Sequence, residues 1–117
     1  MFVQQRKHPR FKLSLPVEVH AIVDGETSAS PLRCATSDIC LGGCYIESMY
    51  PFPVGASLEL KLEAADTLLI FARVVTCDPQ FGNGIEFTRM LPEDRDALSH
   101  FLDQVAQEDN AQAHKAQ

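Results

Sequence analysis

A chain of 117 residues that is 45% hydrophobic and 22% charged fits one domain, large enough to bury a core without disulfides or a structural metal. It has no run of the roughly 18 apolar residues that a membrane helix needs, and residues 1–12 mix Gln, Arg, Lys and His without a signal peptide's apolar stretch, so membrane insertion is not expected and a cytoplasmic protein with reduced cysteines is. The net charge of −6 is uneven: residues 1–20 carry four Lys or Arg against one Glu, while the remainder carries six against fifteen Asp or Glu, so most of the surface repels a long polyanion and only the N-terminal end suits a small anion.

Residues 1–10 read as a flexible arm that contains Arg6-Lys7-His8-Pro9-Arg10. Pro9 keeps His8 extended and blocks a helix. From Phe11 to His20 apolar and polar residues alternate strictly, which predicts a half-buried first strand with Pro16 at an edge or bulge. Asp24-Gly25 and Ser28 to Pro31 supply turns before a second strand at Leu32–Thr36, and a third runs over Cys44–Ser48. Pro51, Pro53 and Gly55 make a loop, after which Leu58, Leu60 and Leu62 alternate with Glu59, Lys61 and Glu63 as a fourth.

Ala64-Ala65-Asp66 turns the chain into a fifth strand, Leu68–Cys77. Asp78-Pro79 with Gly82-Asn83-Gly84 closes a hairpin onto a sixth at Ile85–Thr88. Pro92 opens a helix whose first turn holds Glu93, Asp94 and Asp96 and whose apolar stripe is Leu98, Phe101, Leu102 and Val105. The pattern predicts an all-β fold with one terminal helix, a six-stranded antiparallel β-barrel over residues 11–106, and a disordered tail over 107–117.

Cys34, Cys40, Cys44 and Cys77 form no C-x-x-C pair and no two histidines share ligand spacing, so no metal site is expected. Cys34, Cys44 and Cys77 read as small buried hydrophobes. Two segments are more polar than a minimal barrel requires. In the arm, the planar guanidinium forks of Arg6 and Arg10 suit phosphate oxygens or the O6/N7 edge of guanine. Between the second and third strands lies Asp38-Ile39-Cys40-Leu41-Gly42-Gly43. Ile39 and Leu41 occupy odd positions and Cys44 and Ile46 even ones, so the inside–outside phase slips at the glycines, as a bulge or tight bend requires. Asp38 and Cys40 then point outward together. An outward carboxylate accepts both the N1–H and the exocyclic N2–H₂ of guanine, and a glycine nearby admits a close approach to the backbone.

Arg-x-x-x-Arg before the first strand, followed beyond the second by Asp-x-Cys-x-x-Gly, resembles the two-part signature of the PilZ domain family, Arg-x-x-x-Arg plus Asp/Asn-x-Ser-x-x-Gly. Gly84-Ile85-Glu86-Phe87 is similar to that family's Gly-Ile/Val-x-Phe strand, and the resemblance covers residues 6–105. It implies a barrel that binds bis-(3′-5′)-cyclic dimeric GMP (cyclic di-GMP), needs no other cofactor and passes the signal to a protein effector such as motility, biofilm or polysaccharide machinery. Arg6 and Arg10 would wrap over the ligand, Asp38 and Cys40 would meet a guanine's polar edge, and Gly43 would make room. Cys40 stands where the family has Ser, and a thiol is the weaker hydrogen-bonding group.

Other readings are a protein-interaction adaptor of the same fold that binds no nucleotide, a thiol enzyme using Cys40 or Cys44 with His8 or His20, and a nucleic-acid-binding barrel. The retained arginines favour the receptor over the adaptor. No catalytic signature surrounds the cysteines, so no enzyme is expected, and the barrel lacks the charge and the serial aromatics that hold nucleic acid.

Overall fold

The computed structural model describes residues 8–115, with side chains as far as residue 108. Seven strands and one helix follow in order: β1 (Pro16–Val23), β2 (Glu26–Thr27), β3 (Leu32–Cys40), β4 (Gly43–Glu47), β5 (Ser57–Ala64), β6 (Asp66–Asp78), β7 (Gly82–Met90) and α1 (Pro92–Lys115). β1 is hydrogen-bonded along both edges. It pairs with β3, Val17 opposite Cys34, and with β5, Val19 opposite Leu60. The strand order β2-β1-β3-β4-β7-β6-β5 thereby closes into the expected six-stranded antiparallel barrel, with β2 as a two-residue spur on β1. Closure leaves no open sheet edge on the barrel itself.

The period-2 patterns set the interior. Leu58, Leu60 and Leu62 of β5 and Leu68, Ile70, Ala72 and Val74 of β6 are buried while their neighbours face outward, and Val17, Val19, Ile39, Cys44, Ile46 and Ile85 complete the lining. Each fully buried Leu or Ile contributes about 1.5–3 kcal/mol relative to exposure. Leu98 and Leu102 of α1 join this cluster, with Ala97 and Phe101 packed beside it, as the helical period predicts. The helix is longer than expected: it continues to Lys115, through residues read from sequence as a disordered tail. Gln107, Glu108, Ala111 and Gln112 are all good helix formers, so the helix outlasts its apolar stripe.

Strand ends shift at several places, and β3 runs on to Cys40 through residues expected to lie between strands; two of the differences have identifiable reasons. The alternation from Phe11 predicts a strand through to His20, yet β1 begins at Pro16. Residues 11–15 are extended but held by scattered bonds, because β3 slips register against β4 between Thr36 and Asp38. Phe11 exchanges two backbone bonds with Ile39 at 2.9 Å, and Leu13 N–H reaches the Ser37 carbonyl at 3.3 Å. The buried Thr36 hydroxyl does the rest: it donates to the Leu13 carbonyl at 2.7 Å and accepts from Leu15 N–H at 3.0 Å. The second difference is at Gly82-Asn83-Gly84, read as the hairpin turn. The turn is Pro79-Gln80-Phe81, with Gln80 at positive φ, and Asn83 already lies within β7 and is 2% exposed. Its amide accepts from Phe52 N–H and donates to the Phe52 carbonyl, both at 2.8 Å, and also donates to the Thr76 carbonyl, tying down the β4–β5 loop.

His20 links β1 to the segment between β2 and β3. Its Nδ1 lies 2.8 Å from the Ser28 carbonyl and its Nε2 2.8 Å from Glu18 Oε1. Both partners accept only, so both bonds exist together only in the imidazolium form. The Ser28 bond first and the Glu18 bond second raise the His20 pKa above 6.5, and the bond from His20 lowers that of Glu18 below 4.5. The His20 contribution is therefore complete below pH 6.5 and lost as pH rises through its raised folded value. That of Glu18 is complete above pH 4.5 and lost as pH falls through its depressed one. Melting followed by circular dichroism from pH 5 to 9 should show a stability advantage over His20→Gln that shrinks on the alkaline side of pH 6.5. An advantage independent of pH would contradict the imidazolium assignment.

Candidate functional site

β3 and β4 form a hairpin whose two-residue turn is Leu41-Gly42. Ile39 stands opposite Cys44 and Cys40 opposite Gly43, so the phase slip read from the sequence is a tight turn. Ile39 and Cys44 point into the core, which leaves Asp38, Cys40 and Tyr45 on the outer face. Asp38 and Tyr45 are directly opposite each other across the two strands.

The Phe11–Ile39 bridge brings the end of the arm alongside β3. Arg10 then reaches the hairpin. Its Nη2 donates to Asp38 Oδ1 at 2.5 Å, with both side chains about a quarter exposed, and its Nη1 faces Cys40 Sγ at 3.9 Å. Two residues 28 apart in sequence are thus in direct contact. Asp38 Oδ2 accepts no hydrogen bond among the described residues. Arg6, the other predicted arginine, lies outside the described residues.

Cys40 faces outward as predicted but is only 7% exposed, covered by Arg10, and its sulfur accepts the Gly42 N–H at 3.4 Å. Gly43 lines the same groove and also makes room for a neighbouring strand. A Cβ there would stand 2.2 Å from the Ile85 carbonyl oxygen of β7, so the glycine admits the neighbouring backbone. The β4–β7 pairing that requires this glycine joins segments some forty residues apart and leaves no local sign in the sequence.

These residues border an open groove of about 860 Å³, within the range of small-molecule sites, lined by His8, Arg10, Asp38, Cys40, Tyr45 and Glu86 among others. His8 lies beside the turn, where a Cβ on Gly42 would meet its ring at 3.4 Å. At the far side the Tyr45 hydroxyl donates to Asp78 Oδ2 at 2.6 Å, which pushes the Tyr45 pKa up to about 12. Tyr45 was not singled out from the sequence. Its outward position follows from the inward Cys44 and Ile46, but its reach across glycine-containing β7 depends on the fold. Cys44 sits in the core, where burial pushes its thiol pKa well up, which suits packing and not nucleophilic attack. Among the described residues no three His, Cys, Asp or Glu side chains gather as a metal site, and no helix is long and apolar enough to cross a membrane.

A PilZ domain model matches residues 4–104. A search of the curated proteins finds no match. Among solved structures, the chain is similar to the Bacillus subtilis inhibitor of motility (MotI/DgrA), with TM-score 0.71 and 19% identity over 92% of this chain and 53% of that one. It is similar to YcgR in complex with c-di-GMP from Escherichia coli, with TM-score 0.72 and 18% identity over 99% of this chain and 52% of that one. It thus spans about half the length of these two proteins. The PilZ domain with c-di-GMP of Escherichia coli YcgR gives TM-score 0.65 and 17% identity, covering 96% of this chain and 99% of that domain.

The Gly43 geometry separates folding from binding. Gly43→Ala should destabilise the barrel by on the order of 2 kcal/mol or more, because the methyl group meets main-chain atoms that cannot rotate away. Urea unfolding measures this, and unchanged stability would show that the glycine is not required by β7.

Proposed function

The chain belongs to the PilZ domain family, and from that premise we propose that it is a receptor for cyclic di-GMP, binding it in the groove over the β3–β4 hairpin without altering it chemically. The observation that carries this reading is the contact between Arg10 and Asp38, one from each half of the predicted signature, at the rim of that groove. The arrangement suits the ligand. Arg10 has N–H groups left over from its bond to Asp38, and a guanidinium fork matches phosphodiester oxygens or the Hoogsteen edge of a guanine. A carboxylate has about four lone-pair sites, so Asp38 can keep Arg10 on Oδ1 and still accept the N1–H and N2–H₂ of guanine. Adenine presents an acceptor at N1 and meets the same carboxylate unfavourably.

Cys40 stands where a serine would add a hydroxyl. Replacing that partner by a sulfur weakens one neutral hydrogen bond, worth about 0.5–1.5 kcal/mol net. Gly43 takes part by letting β4 lie close to β7, which fixes the floor of the groove.

For signalling, the proposal is that the phosphates recruit Arg6 to join Arg10, drawing the residues before Arg10 over the groove for a protein effector to read. Drawing in each residue costs on the order of 1–2 kcal/mol of backbone freedom, and each charge-assisted hydrogen bond returns about 1.5–3 kcal/mol. The two terms are of the same order, so the position of the arm follows ligand concentration.

Calorimetric titration should give micromolar or tighter affinity for cyclic di-GMP and markedly weaker affinity for cyclic di-AMP. Arg10→Ala and Asp38→Ala should each weaken binding by roughly 2–3 kcal/mol through the loss of charge-assisted hydrogen bonds. Absence of heat at excess ligand would sink the receptor reading in favour of an adaptor without nucleotide, and equal affinity for the two dinucleotides would remove Asp38 as the guanine reader.

A further inference from the structure

Tyr45 leaves β4 on the outer face, beside Asp38 of β3 on one side and Gly84 of β7 on the other. Its hydroxyl nevertheless ends at Asp78, the last residue of β6, which lies beyond β7. Neighbouring strands are about 4.8 Å apart, so a side chain standing upright on β4 would not approach a β6 residue two spacings away. The ring must lie down across β7. β7 accommodates it there because it offers glycine at 82, where a Cβ would stand 2.9 Å from Tyr45 Cε1. The Asp78 bond then holds the ring in place. The ring thus lies against Gly82 of β7, and Tyr45 is one of the residues that line the groove.

We infer that Tyr45 is a stacking platform for one guanine of the dinucleotide, placed so that the base lying on the ring presents its N1–H and N2–H₂ edge to the adjacent Asp38 carboxylate. This rests on the reading of the groove as a cyclic di-GMP site. The division of labour follows from the chemistry. An aromatic face accepts any base, so Tyr45 supplies affinity without choosing between purines. The carboxylate edge supplies the choice. The bond to Asp78 prepays the ordering of the ring, so the platform is in position before the ligand arrives.

The test uses cyclic di-GMP and cyclic di-AMP with the whole chain. Tyr45→Leu, checked for folding by its thermal melt, should bind cyclic di-GMP about 5- to 150-fold more weakly while keeping the preference over cyclic di-AMP, as expected for loss of a single base–aromatic stack. Tyr45→Phe keeps the face and loses only the Asp78 anchor, so most of the affinity should remain. The ring itself gives a readout that needs no substitution at the site. The chain has two tyrosines and no tryptophan, and Tyr50 is 83% exposed, so Tyr50→Phe leaves Tyr45 as the only tyrosine signal. Its ring protons should move upfield on saturation, shielded by the stacked base. Wild-type binding with unshifted Tyr45 protons, or with an unaffected Tyr45→Leu, would overturn the platform and leave the receptor reading standing. No binding by the wild type would overturn both.

Discussion

Everything outside the barrel depends on β1 being hydrogen-bonded to β3 on one side and β5 on the other. That double pairing turns a six-stranded sheet into a closed wall, satisfies both edges of β1, and sends every second side chain into one apolar interior. A barrel of this size fills its interior with side chains and keeps no room there for a ligand. The proposed recognition of a ligand therefore falls to the outer face. There the wall is made of backbone already committed to ladder hydrogen bonds, so the polar side chains on it stand on a rigid support.

On that face the β3–β4 hairpin gathers the chemistry. Its two-residue turn fixes which side chains point outward, and the close β4–β7 approach at Gly43 sets how deep the groove floor lies. Arg10 and Asp38 neutralise one another there, which matters in a chain whose surface is otherwise acidic. An isolated Asp38 would repel a dianionic ligand. Paired with Arg10 it becomes a neutral unit that still offers acceptors on one partner and donors on the other.

Much of this was legible in the sequence because it rests on period and spacing. Leu58, Leu60 and Leu62 announce their strand, Leu98 and Leu102 their helix, and the change from Ile39 to Cys44 announces the turn that puts Asp38 outside. What was not legible depends on contacts between distant segments. The Thr36 hydroxyl substitutes for ladder bonds and shortens β1, although the alternation from Phe11 is unbroken. Asn83 looks like a turn residue between two glycines, and only the β4–β5 loop folding against it makes it a buried anchor. Cys40 was correctly placed on the outer face, but its cover by Arg10 requires the arm to lie across it. The position of the Tyr45 ring depends on Gly82, on a strand nearly forty residues further along.

The most direct measurement is the map of backbone amide chemical-shift changes as cyclic di-GMP is added. Binding in the groove predicts changes concentrated at residues 8–11, 38–45 and 84–87, with the β5 amides on the opposite wall unmoved. Changes confined to the exposed apolar loops around Met49–Pro51 and Pro79–Phe81, or none at all, would contradict the assignment of the groove as the dinucleotide site.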